Sequence, residues 1–505
     1  MKYKYLHEPF LDSAKLYRNK IAIINDDKQI SYQQLNTYSK ILANILLSFA
    51  TNKTKIVAVC LDKGWEQIVS VLAILKAGFT YLPISPEYPL NRISKIIEQA
   101  NIDIIISVND FKNLFSNEIY FIDFNKINLI ATENKELTVI NKEELAYIIC
   151  TSGTTDIPKG VMIEHKAALN TILDINKRFK INNKDTILSL SELNFDLSVF
   201  DIFGGLAAGA TIVIPRKSSK RFSLHWYNLI IKHNITIWNS VPSFMLLFME
   251  CAKKFNHSIP IRLVMMSGDW IPIDLPSRIK EQIPNAIIVS LGGATEASIW
   301  SIFYIINKIE ENWNSIPYGK ALTNQEMYVL NDNLEECEIN ETGEICISGL
   351  GLAKGYINNT ELTEKAFIVH PTSNKRIYKT GDLGRYMQDG NIEILGRKDL
   401  QVKVNGYRIE LKEIEYILNQ HPYIFLTIVN IWSKNLLSQK HLICYIKMNQ
   451  GYILSVKDIK KYLKTKLPEY MIPNFYCFID EIPLTTNGKV DRSAFSIPDI
   501  LLCVK

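Results

Sequence analysis

Between residues 55 and 293, short unbroken apolar runs alternate with segments whose apolar positions recur every three or four residues. "KIVAVCL" is followed by "EQIVSVLAILKAG", in which Ile68, Val71, Leu72 and Leu75 share one helical face and Gly78 supplies a stop signal. The rhythm returns at "IDIIISV" and at "AYIICT", which precedes a helix expected over His165–Phe179. It continues through "ATIVIP", "ITIWNSV", "IRLVMMSG" and "AIIVSLGG". Unbroken hydrophobicity, as opposed to alternation, predicts strands covered on both faces and therefore parallel pairing. Strands alternating with helices predict a doubly wound α/β architecture of mostly parallel sheets.

Past residue 315 the runs shorten to "GEICISG", "RIYKT" and "NIEILGR", the pattern of a small antiparallel β subdomain. After Arg397 a second mixture begins: "LKEIEYILNQ", "IFLTIVNIW", "HLICYIK", "VKDIKKYLKTKL" and "FYCFIDEI". The expected division is a large N-terminal domain, 1–398, and a small α+β C-terminal domain, 399–505.

Composition narrows the class. Of 505 residues, 47% are hydrophobic and 22% charged, as in an ordinary globular protein. The net charge of +5 is scattered, with no basic stripe for nucleic acid. No apolar stretch is long enough to span a bilayer, and "MKYKYLHEPF" lacks a signal-peptide core, so a cytoplasmic protein with no membrane partner is expected. The eight cysteines form no C-x-x-C pair and lie mostly in strand-like runs, which predicts buried free thiols.

"TSGTTDIPKG" follows a predicted strand, where ligands gather in open α/β sheets. The backbone N–H groups and hydroxyls of Thr151, Ser152, Gly153, Thr154 and Thr155 suit phosphate oxygens, and Lys159 adds a cation. Walker spacing is absent. "GEICISGLGLAKGY" is no dinucleotide site, because Lys354 stands where the third glycine is required.

Taken together, the motifs resemble the adenylation domains of nonribosomal peptide synthetases, within the wider family of acyl- and aryl-CoA ligases and luciferases. The resemblance runs in order through "ISYQQL" (30–35), "LKAGFTYLPI" (75–84), "LAYIICTSGTTDIPKG" (145–160), "NFDLSVFDIFG" (194–204) and "GGATE" (292–296). It continues through "GEICISGLGLAKGY" (343–356), "YKTGDLGR" (378–385), "GRKDLQVKVNGYRIELKEIE" (396–415), "LPEYMIP" (467–473) and "NGKVDR" (487–492). The resemblance implies a substrate carboxylate attacking the α-phosphorus of ATP with Mg²⁺, then acyl transfer to a phosphopantetheine thiol. It assigns Lys489 to the meeting of carboxylate and nucleotide, and Glu296 to Mg²⁺. Thr295 lies beside the α-phosphate; Gly292, Gly293 and Ala294 line the nucleotide; Asp382 takes the ribose hydroxyls, and Arg397 is a second contact. The C-terminal domain is implied to be mobile about the hinge acid Asp399, bringing Lys403 and Gly406 to the second half-reaction.

Asp196 of "FDLS" matches the acid that pairs with a substrate α-ammonium, which points to an amino acid. The other pocket positions are laid on Leu197, Phe200, Asn239, Val264, Met266, Leu291, Ile299 and Trp300. The set resembles cysteine-activating members, with Met266 standing where a smaller, often polar residue is expected; alanine, glycine and serine stay open. Other departures are Cys150 for tyrosine, Asp156 for glycine, and Asn405 and Lys412 for arginine and glycine. Gly292 and Ala294 replace a usual tyrosine and proline, which removes an aromatic surface expected near adenine. With no carrier-attachment serine after Lys489, a free-standing enzyme loading a separate carrier protein in trans is expected. A D-alanine–carrier protein ligase and a CoA ligase for a small acid are the alternatives.

Overall fold

A computed structural model of the chain describes residues 2–49, 51, 55–116, 118–129, 143–152, 158–310, 313, 315–398, 401–432, 440–479, 483 and 495. The chain packs as two units. The first takes in Met1–Pro86, Gln99–Cys150 and Gly160–Lys398; the second takes in Glu87–Glu98, Thr151–Lys159 and Asp399–Lys505. Two stretches of the segment expected as one domain, 87–98 and 151–159, therefore belong to the second unit.

The first unit is built on a nine-stranded and a seven-stranded sheet. In the larger, the strands Ile287–Gly292, Leu263–Met266, Ile237–Ser240, Thr186–Ser189, Thr211–Ile214 and Ile21–Asn25 run in that spatial order, all parallel to their neighbours. Antiparallel strands finish both edges. In the smaller sheet Thr80–Pro83, Ile56–Cys60, Ile104–Ser107 and Tyr120–Asp123 are likewise parallel. The apolar runs read from sequence are these strands, and their burial is nearly complete: all four residues of Ile104–Ser107 and of Leu263–Met266 are buried. The helix Trp65–Lys76 is buried from Gln67 to Lys76, which explains why its sequence is apolar on nearly every face. Strands Gln325–Leu330, Gly343–Gly349, Phe367–Val369, Arg376–Tyr386 and Ile392–Arg397 form the expected antiparallel sheet.

The second unit holds a hairpin, Gln401–Val404 with Tyr407–Glu410, and a three-stranded sheet of Ile424–Trp432, His441–Met448 and Phe475–Phe478. The helices Leu411–Asn419 and Val456–Lys464 contribute Ile414, Ile417, Leu418, Ile459 and Leu463 to its core. Asn405 and Gly406 both have positive φ, 51° and 84°, the requirement of a tight type I′ hairpin turn. Asparagine tolerates that conformation, which gives the departure at Asn405 a structural reason. Within this unit Arg92 and Glu413 form an ion pair of 2.7 Å with side chains only 4% and 0% exposed. Glu413→Ala leaves Arg92 buried and uncompensated. The expected loss is about 3–5 kcal/mol of that unit's stability, read by denaturant unfolding of the full chain.

Six cysteines, Cys60, Cys150, Cys251, Cys337, Cys346 and Cys444, are free thiols as expected. Cys477 departs from that expectation: it is disulfide-bonded, with its partner outside the described residues. Among the described residues no helix is long and apolar enough to cross a membrane.

Candidate adenylate-forming site

The carboxyl ends of the parallel strands in the first unit carry the polar groups. Ile287–Gly292 runs into Gly293 and Ala294 and then a single helical turn, Thr295–Ala297. Gly293 has φ +153°, and a Cβ there would lie 2.9 Å from the backbone N of Ser301, so only glycine fits. Glu296 is fully buried, its Oε1 accepting from the Tyr356 hydroxyl at 2.8 Å. Among the described residues no cluster of three or more His, Cys, Asp or Glu surrounds a metal position. The Glu296 carboxylate fits Mg²⁺ held jointly with phosphate oxygens and water, the usual manner for that ion.

Thr295 Oγ1 donates to Asp196 Oδ2 at 2.9 Å. Asp196 is 6% exposed and begins the turn Leu197–Val199, yet its side chain caps no N–H of that turn. A helix-cap role is therefore absent, and the carboxylate is directed to Thr295. Asp382 and Arg397 face each other across an antiparallel pair and are joined at 2.6 Å, with Arg397 also donating to Thr380 O at 3.1 Å. The two residues matched to the ribose are thus one unit of structure.

The space beside Gly292 is filled by an aromatic ring that the motifs alone did not point to. A Cβ on Gly292 would fall 1.8 Å from Tyr318 Cε2. The Tyr318 ring occupies the volume that a side chain at 292 would take. Burial raises the Tyr318 pKa, the Asp382 charge raises it further, and a backbone hydrogen bond from Gly293 and the Arg397 charge oppose this. The phenol therefore lies among the same residues matched to the nucleotide. The signal was legible only as a pair: a glycine where a large ring is usual, and a tyrosine 26 positions later.

The side-chain pocket requires a correction. Leu197, Phe200, Asn239, Leu291, Ile299 and Trp300 are all buried, and the Phe200 and Trp300 rings meet with centroids 5.1 Å apart. Val264 and Met266 do not join them. Along Leu263–Met266 the side chains alternate: Leu263 and Met265 enter the core shared with Leu197, Phe200, Leu291, Ile299 and Trp300, whereas Val264 and Met266 enter a second core with Trp238 and Phe248. Met265 is the register partner of Asn239, and the next residue on its face is Ser267, whose Oγ accepts from Trp300 Nε1 at 2.9 Å. Met265 and Ser267 thus lie on the side of the strand toward the first core, where Val264 and Met266 do not. Ile299 itself has φ +73°, rare for a β-branched residue and the kind of strain that persists at binding sites.

In the second unit, Thr151 ends a strand and Ser152 is buried, its Oγ donating to Arg408 O at 2.7 Å. Lys159 Nζ lies 3.4 Å from Glu410 Oε1, with side chains 15% and 5% exposed. Lys403 sits on the strand Gln401–Val404 and Gly406 in its turn. Gly153, Thr154, Thr155, Asp156, Asp399 and Lys489 lie outside the described residues.

These features meet a family assignment. The AMP-binding enzyme model matches residues 10–357, and the AMP-binding enzyme C-terminal domain model matches 413–489. The chain belongs to the AMP-binding enzyme family. It is 41% identical over 492 residues to bacitracin synthase 1 of Bacillus licheniformis, covering 97% of this chain and 9% of that protein. The solved nonribosomal peptide synthetase FmoA3, in its α-methyl-L-serine-AMP bound form, superposes with a TM-score of 0.75 at 31% identity, over 97% of this chain and 50% of that one. An artificially fused adenylation–PCP di-domain, NpsA-ThdA from Klebsiella oxytoca, gives 0.81 at 26% identity, over 94% and 86%. The chain thus spans a small part of the synthase and half of FmoA3.

Proposed function

We propose that the protein activates a small amino acid with ATP, forming an aminoacyl-adenylate and pyrophosphate. It then transfers the aminoacyl group to the phosphopantetheine thiol of a separate carrier protein, with L-cysteine the favoured substrate. The observation that carries the reading is the buried carboxylate of Asp196, which serves no helix cap and is oriented by Thr295. A buried carboxylate held in a fixed direction is suited to receive a substrate α-ammonium, whose charge it would pair. The neighbouring solved structure with an amino-acid adenylate bound supports the same class.

The corrected pocket sharpens the side chain. Met266 was the one residue too large for a cysteine-like set; Ser267, on the pocket face, is the small polar residue expected there. Mg²⁺ at Glu296 would supply charge neutralisation at the phosphates. Asp382 and Arg397 bind the ribose, and Ser152, Lys159 and the residues Gly153–Thr155 take the β- and γ-phosphates. Lys489 acts in the first half-reaction and Lys403 and Gly406 in the second, with Asp399 as hinge. Tyr318 supplies the aromatic face for adenine that Gly292 lacks.

Amino-acid-dependent pyrophosphate exchange, run over the proteinogenic amino acids, D-alanine and short carboxylic acids, tests the reading. Cysteine is expected to lead. Exchange with an acid lacking the ammonium removes the amino-acid assignment, and exchange with D-alanine alone moves the protein to the carrier-ligase alternative. Tyr318→Leu is expected to raise the KM for ATP roughly tenfold or more, since a stacked base contributes about 1–3 kcal/mol. The amino-acid KM should stay unchanged. Adding Gly292→Tyr to Tyr318→Gly should restore ATP affinity, because each ring occupies the other's vacated volume.

A further inference from the structure

Asn239 lies on the central strand Ile237–Ser240, in register with Ser189 on one side and Met265 on the other. The strand alternates, so Asn239 shares the face of Ile237, in the first core, while Trp238 turns to the second. Asp201 reaches it from Phe200–Gly204, a π-helical turn. Such widened turns recur at functional sites. Here the turn sends consecutive residues inward: Phe200 against Trp300, and Asp201 against Asn239. Asn239 Nδ2 donates to Asp201 Oδ1 at 2.8 Å, and both side chains are 0% exposed.

Among the described residues, Asn239 Oδ1 and Asp201 Oδ2 have no hydrogen-bond partner, although both are buried. The backbone N–H of Ser191 and the Ser189 hydroxyl are near enough to favour the ionised acid without completing that shell. An ionised carboxylate only accepts, so the amide must turn its NH₂ to Asp201 and its oxygen away. The result is a buried acceptor of fixed direction on the side of the strand facing the first core, which holds Leu197, Phe200, Leu291 and Ile299. A buried acceptor left unmade is costly, and a ligand that brings a donor removes that cost.

We propose that Asp201 is a positioning residue that locks Asn239 with its carbonyl oxygen presented to the substrate side chain, so that the pocket selects a small amino acid bearing a short hydrogen-bond donor, a thiol or hydroxyl. The inference rests on the amino-acid reading of the site. L-2-aminobutyrate, which has a methyl group in place of the thiol of cysteine, is therefore discriminated against by the unmade bond, and sites built for a donor reject analogues lacking it more strongly than apolar pockets reject a methylene.

The state of Asp201 governs the lock. Burial pushes its carboxyl up to about 7, against the Asn239 hydrogen bond and the charge of Lys63. Lys63 donates to Ser191 O, burial lowers its own pKa, and it feels Glu192 and Lys220. Among the described residues, Lys63, Glu192 and Lys220 thus carry charge around the couple. Protonated Asp201 can donate to Asn239 Oδ1, releasing the amide to flip; ionised Asp201 cannot.

The test is pyrophosphate exchange by the full chain with L-cysteine, L-serine, L-2-aminobutyrate and L-alanine between pH 6 and 7.5, below the thiol's own titration. The kcat/KM ratio of cysteine to 2-aminobutyrate should be about tenfold or more at pH 7.5, the value of one hydrogen bond of about 1.4 kcal/mol, and should fall as pH drops through 7. Asp201→Asn, nearly isosteric but able to donate to Asn239 as well as accept from it, should lose the lock and give a lowered ratio that no longer varies with pH. Asn239→Leu should collapse the ratio to near one, with the KM for ATP unmoved in both variants. A wild-type ratio near one, or an equally pH-dependent ratio in Asp201→Asn, overturns the proposal. If no amino acid supports exchange at all, the failure lies with the amino-acid reading, and the proposal falls with it.

Discussion

Asp196→Ala is expected to reduce kcat/KM for the amino acid by on the order of a hundred- to a thousandfold, while nucleotide binding stays near the wild-type value. The magnitude follows from the geometry. Asp196 is almost wholly buried and bonded to Thr295, so an ammonium docked against it leaves its own charge unpaired once the acid is removed. Breaking one side of a buried pair costs about 3–5 kcal/mol. Asp196→Asn keeps the shape and the Thr295 hydrogen bond but removes the charge, and should be nearly as impaired. The measurement is exchange kinetics with amino-acid and ATP concentrations varied separately, beside a titration of AMP binding. A variant that loses ATP and amino-acid affinity in equal measure would show Asp196 to be a structural acid. A variant with unchanged amino-acid kinetics would remove the ammonium assignment outright.

The parallel core was legible because burial on both faces leaves a mark in one dimension. "IVAVC", "IIIS" and "TIVI" have no polar alternation, and each is a strand. That same property hid the pocket. In "LVMM" no polar residue marks which side chains face which core, so a shift of one position passes unnoticed and places Val264 and Met266 where Met265 and Ser267 stand. Register against Asn239 and the Trp300–Ser267 bond settle the face, and both are contacts across the fold. Tyr318 and Asp201 were missed for a related reason. Their proposed roles depend on what they touch, Gly292 in one case and Asn239 in the other, and neither pairing is marked by a motif along the chain. Asp196 and Glu296 could be singled out as candidates because their motifs are local and their chemistry is in the side chain.

Lys489→Ala is expected to separate the two proposed half-reactions. Adenylation brings a carboxylate against a triphosphate, so two anions approach as charge builds on the α-phosphate. A cation aimed at that charge lowers the barrier far more than it stabilises the separate reactants, and loss of one such group costs on the order of a hundred- to a thousandfold in kcat. Pyrophosphate exchange by Lys489→Ala should therefore fall by at least about that factor, with thermal unfolding unchanged. Thiol attack on a preformed aminoacyl-adenylate expels AMP and needs no such cation for a second anion. Transfer from synthetic aminoacyl-adenylate to a carrier protein should therefore proceed at close to the wild-type rate. Equal loss in both assays would assign Lys489 to folding or to general nucleotide binding, and retained exchange would take it out of the chemistry. Lys403→Ala should show the mirror image: exchange preserved, transfer impaired. A matched pair of opposite defects would require that the chain uses separate residues for its two steps, which no single fixed constellation would produce.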